Sequence, residues 1–277
     1  MSRRFLPRRS LAALLLPAAL LLPAGHACAV PDLQDPKVKA VIDDLVVANH
    51  ILADQGVVDG FGHISARNPL NPAHFFMARS IAPASVTAGE MMEFDLDGNV
   101  VGDPSRNDPR AVYSERYIHS EIYKVRADVT SVVHGHSPSV IPFSVAHVPL
   151  RPMFHMSGFL GAGTPIFEIR EAAGADKPDT DMLVKTPRLG AGLARALGSS
   201  NAVLMRGHGF TVVAYSVPVA VFRSVYIEQN ARMQSEALKL GRPQFLSVEE
   251  AAQAQASTER SVGRPWEMWK EKAAGAK

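Results

Sequence analysis

Residues 129–136 read VTSVVHGH, and this stretch decides which fold and which chemistry the chain can have. Its β-branched residues predict a buried strand that ends at two histidines. Because side chains two residues apart in a strand lie on the same face, His134 and His136 can reach one ion from a rigid support. A His-x-His pair is a weak metal motif by itself, so a third ligand is needed from elsewhere in the chain.

The third histidine lies in residues 205–210, which read MRGHGF. Glycines on both sides of His208 allow a tight turn, which aims its imidazole into a cleft between strands predicted over residues 202–205 and 211–214. Three neutral imidazoles leave the fourth position of a tetrahedral ion open for water or substrate. Imidazole ligands favour Zn²⁺, and Fe²⁺, Mn²⁺ and Co²⁺ are the alternatives.

A carboxylate at the start of a predicted helix is the next candidate. Residues 113–119 read YSERYIH, and Ser114 is predicted to cap a helix over residues 114–126. Glu115 has two interpretations: an acid favoured by the helix dipole, or, beside a three-histidine metal, the group that transfers a proton. His119 lies one turn later on the same helix face, where it either orients Glu115 or only packs.

The first thirty residues predict export. Four arginines within residues 3–9 precede an apolar run over residues 11–23, and Ala27-Cys28-Ala29 supplies a small-residue cleavage site. Two prolines interrupt this run, which is too short to span a bilayer. We therefore predict a secretory signal peptide over residues 1–29 and a periplasmic or secreted domain over residues 30–277, without stable membrane insertion after cleavage. A twin-arginine signal and lipidation of the cysteine are the alternatives.

The composition is that of an ordinary folded chain of 277 residues. Hydrophobic residues make up 47% and charged residues 20%, which excludes a disordered chain, a coiled coil and a collagen-like repeat. The net charge of +2 is too balanced for a nucleic-acid-binding surface, so no nucleic-acid partner is predicted. The open position of the metal site described above predicts a small-molecule substrate instead. Removal of the signal peptide removes the single cysteine, which excludes disulfides, thiolate ligands and cysteine nucleophiles.

Hydrophobic periodicity and turn residues predict one α/β domain with a mixed sheet. The predicted strands cover residues 61–67, 74–78, 91–96, 129–136, 202–205 and 211–214, with a hairpin turn at residues 97–99. The predicted helices cover residues 37–55, 114–126, 140–145, 187–198 and 218–240. A capping box at Ser247 and Glu250 predicts the start of a last helix.

Together these segments resemble the class II aldolase/adducin-like family of the fuculose-phosphate aldolase type. The shared pattern covers about residues 37–240 and comprises, in order, Gly62-His63-Ile64-Ser65, Ser114-Glu115, Ile122-Tyr123, Asp128-Val129, His134-Gly135-His136-Ser137 and Gly207-His208-Gly209. The resemblance implies a single three-layer α/β/α domain with a central mixed, largely antiparallel sheet. It also implies a homotetramer with cyclic symmetry, in which the active sites lie at subunit interfaces.

The resemblance implies a chemistry for the site as well. It assigns a divalent metal, usually zinc, to His134, His136 and His208, and the acid/base role to Glu115. In this chemistry the ion holds adjacent oxygens of the substrate and stabilises the enediolate that forms when a carbon–carbon bond opens. Glu115 then moves the proton.

The sequence departs from the family where the aldolases hold a substrate phosphate. The family's Gly-Asn is Gly62-His63 here, Thr-Gly aligns with Arg79-Ser80, and two serines before the glutamate are replaced by Tyr113-Ser114. These changes predict that His63, Arg79, Ser80 and Ser114 bind a substrate without phosphate. Arg79 either binds a carboxylate or makes an ordinary surface ion pair. A proton-donating tyrosine of the aldolases aligns with His155, which is the second candidate catalytic residue.

The residues and the resemblance lead to one predicted function, a divalent-metal-dependent carbon–carbon lyase for a small hydroxylated carbonyl or carboxylic compound. Retro-aldol cleavage and decarboxylation both fit, because loss of CO₂ leaves a carbanion similar to the one formed in aldol cleavage. An iron-dependent oxygenase on the same scaffold is the first alternative. A non-catalytic adducin-like binding module is the second, and retention of the complete ligand set argues against it.

Overall fold

The structure is a computed structural model that describes residue 1 and residues 35–101, 112–174 and 180–275. Apart from Met1, the predicted signal peptide over residues 1–29 and its cleavage site lie outside the described residues. Among the helices of the described ranges, none combines the length and the apolar character that crossing a membrane requires.

A seven-stranded sheet forms the centre of the described structure. Its strands are β1 (His63–Arg67), β2 (His74–Ala78), β3 (Met91–Asp95), β4 (Ser131–Gly135), β5 (Ile166–Phe167), β6 (Ala202–Met205) and β7 (Gly209–Ala214). They lie in the order β3-β2-β1-β4-β7-β6-β5, and every neighbouring pair is antiparallel except β5 with β6. The prediction of a mixed, largely antiparallel sheet is confirmed.

Helices cover both faces of this sheet. They are α1 (Pro36–Asp54), α2 (Arg116–Val125), α3 (Ile141–Val145), α4 (Ile169–Ala173), α5 (Pro187–Leu197), α6 (Val217–Leu240), α7 (Val248–Glu259) and α8 (Gly263–Gly275). Strand side chains alternate between two apolar clusters, one shared with α1, α6 and α8 and the other with α2 and α5. Val132 and Val133 of β4, for example, belong to opposite clusters. This is the predicted three-layer α/β/α arrangement.

Several helices begin and end where the sequence places capping residues. The Thr186 side chain accepts a hydrogen bond from the backbone N–H of Leu189 at the start of α5. Gly198 ends the same helix with φ of 54°, a conformation that glycine adopts without strain. Ser247 and Glu250 form the predicted capping box at the start of α7.

The start of α2 differs from the prediction. Its first helical residue is Arg116, and its N-cap is Glu115, so the prediction that Ser114 caps this helix was wrong. The Glu115 side chain makes no capping hydrogen bond, because its carboxylate is turned toward His134 and His208. The local helix signal is therefore overridden by contacts with the sheet.

Short and terminal elements account for the other differences. The capping box begins α7, but α7 is not the last helix, since α8 follows it. The sequence prediction did not include β5 or α4, which have only two and five residues and so carry a weak periodic signal. The predicted turn at residues 97–99 forms, with the Asp95 N–H donating to Asn99 O, but the returning chain pairs through one isolated bridge between Phe94 and Val100.

Candidate metal centre

Two adjacent strands, a turn and a helix start bring four of the predicted site residues together. His134 lies in β4, and His136 follows the end of that strand. His208 lies in the tight turn that joins β6 to β7, and β7 is the neighbour of β4 in the sheet. Glu115 reaches the same point from the start of α2. We call His134, His136 and His208 the histidine cluster.

The ligand atoms of the histidine cluster and Glu115 lie within 4.8 Å of one another. The Nε2 atom of His136 is 3.1 Å from that of His134 and 3.0 Å from that of His208. Glu115 Oε2 lies 3.6 Å from His134 Nε2 and 3.5 Å from His208 Nε2. Atoms at these separations can share one ion at bond lengths of about 2.0–2.2 Å.

Glycines allow the backbones beneath the cluster to approach each other. A Cβ atom on Gly209 would lie 2.2 Å from the carbonyl oxygen of Gly135. Gly207, on the other side of His208, has φ of 64°, in the left-handed region that glycine favours. The two glycines that flank His208 therefore let β7 lie against β4 at the point where the cluster forms.

Hydrogen bonding and burial prepare the histidine cluster to bind a cation. His134 Nδ1 donates to the carbonyl oxygen of Phe210 at 2.9 Å, which orients the ring so that its Nε2 faces the other two rings. Burial lowers the pKa of His136 to about 4 and also lowers the pKa of His208. A neutral His136 has one hydrogen and can satisfy only one of its two short Nε2 contacts. A divalent cation between the rings would relieve the remaining lone-pair repulsion, so these residues fit a metal ion.

Glu115 adds a carboxylate to the set. It is buried, and its Oε1 accepts a hydrogen bond from the backbone N–H of Val184 at 2.8 Å. Burial raises the pKa of the Glu115 carboxyl, but the contact with His134, positive charge on His134 and His208, and the hydrogen bond from Val184 N–H outweigh burial and lower the pKa to about 2. Glu115 is therefore an anion at neutral pH, with Oε2 directed at the histidine cluster.

A cavity of about 390 Å³ opens beside the cluster. Glu115 and His136 form part of its wall, together with three of the predicted substrate-binding residues, His63, Ser80 and Ser114. The apolar part of the wall consists of Phe61, Ile81, Ala82, Tyr113 and Leu183. The cavity therefore combines hydrogen-bonding groups and candidate metal ligands with an apolar surface.

Two predicted site residues, Arg79 and His155, do not line this cavity in the structure of a single chain. The Arg79 guanidinium pairs with the Glu90 carboxylate, which is the ion pair considered as its alternative interpretation. His155 is the exposed first residue of the 3-10 helix His155–Leu160, with its ring edge-on to that of Phe154. The structure of one chain does not bring either residue to the cluster, and their roles in substrate binding and catalysis stay predictions.

His119 has a contact that the sequence did not predict. Its Nε2 lies 2.6 Å from Nδ1 of His63, and its Nδ1 lies 2.7 Å from Oγ of Ser65. His119 therefore orients His63 and not Glu115. Two sequence patterns could have indicated this contact. His63-x-Ser65 on a strand and His119-x-x-x-Tyr123 on a helix each place two polar side chains on one face.

Fold, histidine cluster and cavity together define a class of proteins. The model of the family described as Class II Aldolase and Adducin N-terminal domain matches residues 43–235. The chain belongs to this family. The resemblance inferred from the sequence motifs is thereby confirmed.

Individual members of the family show how near the likeness is. The chain is 38% identical over 241 residues to Decarboxylase tropJ from Talaromyces stipitatus, and this alignment covers 79% of this chain and 89% of that protein. It is 30% identical over 203 residues to 3,4-dihydroxyphthalate decarboxylase from Arthrobacter keyseri, and this alignment covers 71% of this chain and 78% of that protein.

Solved structures show the same fold. An aldolase II superfamily protein from Pseudomonas syringae superposes with a TM-score of 0.70 at 22% identity, covering 87% of this chain and 94% of its own. An L-fuculose 1-phosphate aldolase superposes with a TM-score of 0.65 at 21% identity, covering 79% of this chain and 96% of its own. These structures confirm the α/β fold class.

Proposed function

We propose that this protein is a divalent-metal-dependent lyase that decarboxylates a small hydroxylated aromatic carboxylate. The observation that carries the proposal is the convergence of three imidazole Nε2 atoms and one carboxylate within 4.8 Å at the wall of a cavity. An adducin-like binding module has no need of such a set. The ligand set and the family together favour carbon–carbon bond cleavage.

Relatives and cavity both favour decarboxylation over aldol cleavage of a sugar phosphate. The two relatives at 30% identity or more carry the name decarboxylase, and one acts on 3,4-dihydroxyphthalate. The family's phosphate-binding pairs are changed at Gly62-His63, Arg79-Ser80 and Tyr113-Ser114. Apolar groups from Phe61, Ile81, Tyr113 and Leu183 offer surface for a planar ring rather than for a hydrated phosphate. A retro-aldol reaction is the second lyase chemistry that the cluster supports.

The chain's own residues divide the work in this reaction. His134, His136 and His208 would hold the ion, which supplies Lewis-acid stabilisation for negative charge on adjacent substrate oxygens. The Glu115 carboxylate accepts a proton from a substrate hydroxyl through Oε2. The bond between ring carbon and carboxylate then breaks, its electron pair stays on the ring carbon, CO₂ leaves, and Glu115 returns the proton to that carbon. His63, Ser80 and Ser114 bind the substrate's polar groups in the cavity.

Zinc is the proposed ion, with Fe²⁺, Mn²⁺ and Co²⁺ as alternatives that imidazole and carboxylate ligands also accept. An iron-dependent oxygenase would use the same three histidines. The two functions differ in their need for oxygen, since decarboxylation consumes none.

The test is an assay of the protein loaded separately with Zn²⁺, Mn²⁺, Co²⁺ and Fe²⁺. Each form is incubated with 3,4-dihydroxyphthalate or 2,3-dihydroxybenzoate, under air and under nitrogen, and CO₂ and oxygen are followed. We expect metal-dependent CO₂ release that is equal under both gases. Obligatory oxygen consumption would replace the proposal with the oxygenase, and aldehyde release from hydroxyketones without CO₂ would replace it with an aldolase.

We also propose that the chain is exported and works as a homotetramer. The export proposal is supported by the arginine-rich and apolar leader of residues 1–29. A tetramer with sites at subunit interfaces would give the exposed His155 a route to the cavity of a neighbouring copy. Mixed oligomers of Glu115→Gln and His155→Ala chains test this point, because restored activity requires the two residues to come from different chains.

A further inference from the structure

A continuous chain of buried polar side chains leads away from the cavity wall. His63 Nδ1 contacts His119 Nε2 at 2.6 Å, His119 Nδ1 contacts Ser65 Oγ at 2.7 Å, and Ser65 Oγ contacts the Tyr123 hydroxyl at 2.8 Å. All four residues have 4% or less of their surface exposed. We call this set the His63 relay. None of its members belongs to the histidine cluster.

The relay is formed by two faces of regular structure. His63 and Ser65 are alternate residues of β1 and share one face of the sheet. His119 and Tyr123 are one turn apart on α2 and share one face of that helix. Four polar groups placed in a core by two rigid elements are costly unless each one is paired, and here each one is paired.

The contacts at the inner end of the relay favour one direction for its hydrogen bonds. Burial raises the pKa of Tyr123, so its hydroxyl keeps its hydrogen. This hydroxyl has two acceptors within the described residues, Ser65 Oγ at 2.8 Å and the Thr130 carbonyl oxygen at 3.5 Å. At 3.5 Å the contact with Thr130 is a poor hydrogen bond, so the arrangement in which Tyr123 donates to Ser65 Oγ at 2.8 Å is the more favourable one.

With Tyr123 as the donor, the hydrogen positions on Ser65, His119 and His63 follow one from the other. Because Ser65 Oγ accepts from Tyr123, its own hydrogen is available for His119 Nδ1. Burial lowers the pKa of His119 to about 3, so the ring is neutral, and its single hydrogen is on Nε2 and is donated to His63 Nδ1. His63 accepts at Nδ1 and therefore carries its hydrogen on Nε2.

His63 belongs to the cavity wall. The ring of His63 lies between those of Tyr113 and His134, with centroid distances of 4.5 and 5.2 Å. It lines the same cavity as Glu115 and Ser114, and within the described residues its side-chain hydrogen bond is the one made by Nδ1. The relay thus presents an N–H donor next to the histidine cluster.

We propose that Ser65, His119 and Tyr123 are positioning residues that hold His63 in its Nε2–H tautomer, so that His63 donates a hydrogen bond to the substrate's carboxylate. This inference rests on the proposed function for the identity of the acceptor. A fixed donor attracts a carboxylate, whereas the opposite tautomer would present a lone pair to it and weaken binding. The relay is therefore a determinant of specificity for acids over neutral phenols.

The tautomer is measured directly by long-range ¹H–¹⁵N correlation in zinc-loaded protein labelled with ¹⁵N-histidine. We expect His63 to show hydrogen on Nε2 in the unmodified chain, and a mixture of tautomers in Tyr123→Phe, where the donor that sets the direction is lost. Tyr226→Phe is the matched control, because Tyr226 is a half-buried tyrosine that packs against Phe222 and Trp269 outside the relay. Hydrogen on Nδ1 in the unmodified chain, or an unchanged single tautomer in Tyr123→Phe, would overturn the inference.

Binding measurements test the acceptor without turnover. Calorimetry with 2,3-dihydroxybenzoate and with catechol compares two probes that differ in the carboxylate. His63→Leu should weaken 2,3-dihydroxybenzoate about tenfold or more, as expected for a hydrogen bond to a charged group, and change catechol by less than about twofold. His63→Gln, which keeps an N–H donor, should recover most of the loss. Equal losses for both probes would refute a role for His63 in carboxylate recognition, whatever reaction the protein catalyses.

Discussion

Replacing Glu115 by glutamine separates metal binding from proton transfer. The substitution keeps the shape of the side chain, and the amide oxygen can still accept the hydrogen bond from Val184 N–H at 2.8 Å. The amide nitrogen then takes the place of Oε2, which lies 3.5 and 3.6 Å from the Nε2 atoms of His208 and His134. The histidine cluster itself is unchanged, so we expect Glu115→Gln to retain one divalent ion per chain.

We expect Glu115→Gln to lower the rate of the chemical step. Positioned acid–base catalysis contributes about 10²–10⁴-fold, and an amide can neither accept nor return a proton. We therefore expect kcat for decarboxylation to fall by about that factor, a barrier increase of about 3–5 kcal/mol. KM should change much less, because the cavity wall keeps its shape.

The assay follows CO₂ release and metal content in parallel for Glu115→Gln and for a control. Glu121→Gln is the matched control, since Glu121 is a buried acid of the same helix that pairs with Lys124 outside the cavity. We expect the control to keep both metal and activity. A fully active Glu115→Gln protein would refute the acid–base role, and loss of the ion from that protein would show that Glu115 is needed as a ligand.

Two further predictions concern stability. In Gly209→Ala the new Cβ would lie 2.2 Å from Gly135 O, so we expect at least about 2 kcal/mol of destabilisation and a Tm lower by about 4–8 °C in calorimetry. Gly263→Ala is the control, because no atom lies within 4 Å of its new Cβ, and its Tm should be unchanged. The Glu168 carboxyl accepts hydrogen bonds from Arg170, which has the larger effect, and from Arg206, and these bonds lower its pKa from 4.5 to about 2. Its stabilisation is therefore present above pH 4.5 and is lost as the pH falls toward 2, so the gap in unfolding free energy between the unmodified chain and Glu168→Gln should be larger at pH 7 than at pH 3 in urea titrations. An equal Tm for the two glycine variants, or a gap independent of pH, would contradict these accounts.

The sequence is informative where local pattern and tertiary structure agree. The β-branched residues of the 129–136 stretch predict a strand, in which the consecutive Val132 and Val133 must lie on opposite faces, and the structure has them there. Threonine and serine are residue types favoured at helix N-caps, and Thr186 and Ser247 cap α5 and α7 here. The His-x-His pair and the glycine-flanked His208 are also local patterns, and the structure brings them to one point.

The sequence is less informative where a side chain has several partners to choose from. Arg79 has a guanidinium that could reach a substrate, but Glu90 from a neighbouring segment pairs with it. His119 is four residues from Glu115 on one helix, yet its partners are His63 and Ser65 of β1. These choices depend on how helix and strand pack, which helix periodicity cannot specify. In the proposed tetramer, contacts between copies would decide whether His155 reaches a cavity, and the sequence predicts such contacts only through the family resemblance.

The most direct test of the central claim is the metal stoichiometry of the purified protein after zinc loading and dialysis, measured by mass spectrometry. We expect one ion per chain in the unmodified protein and none in His136→Ala. His147→Asn, which replaces an exposed histidine at φ of 53° with a residue that accepts this conformation, should keep one ion. An unmodified protein that holds no zinc, or a His136→Ala protein that holds one zinc per chain, would contradict the proposal that these three imidazoles form a metal centre.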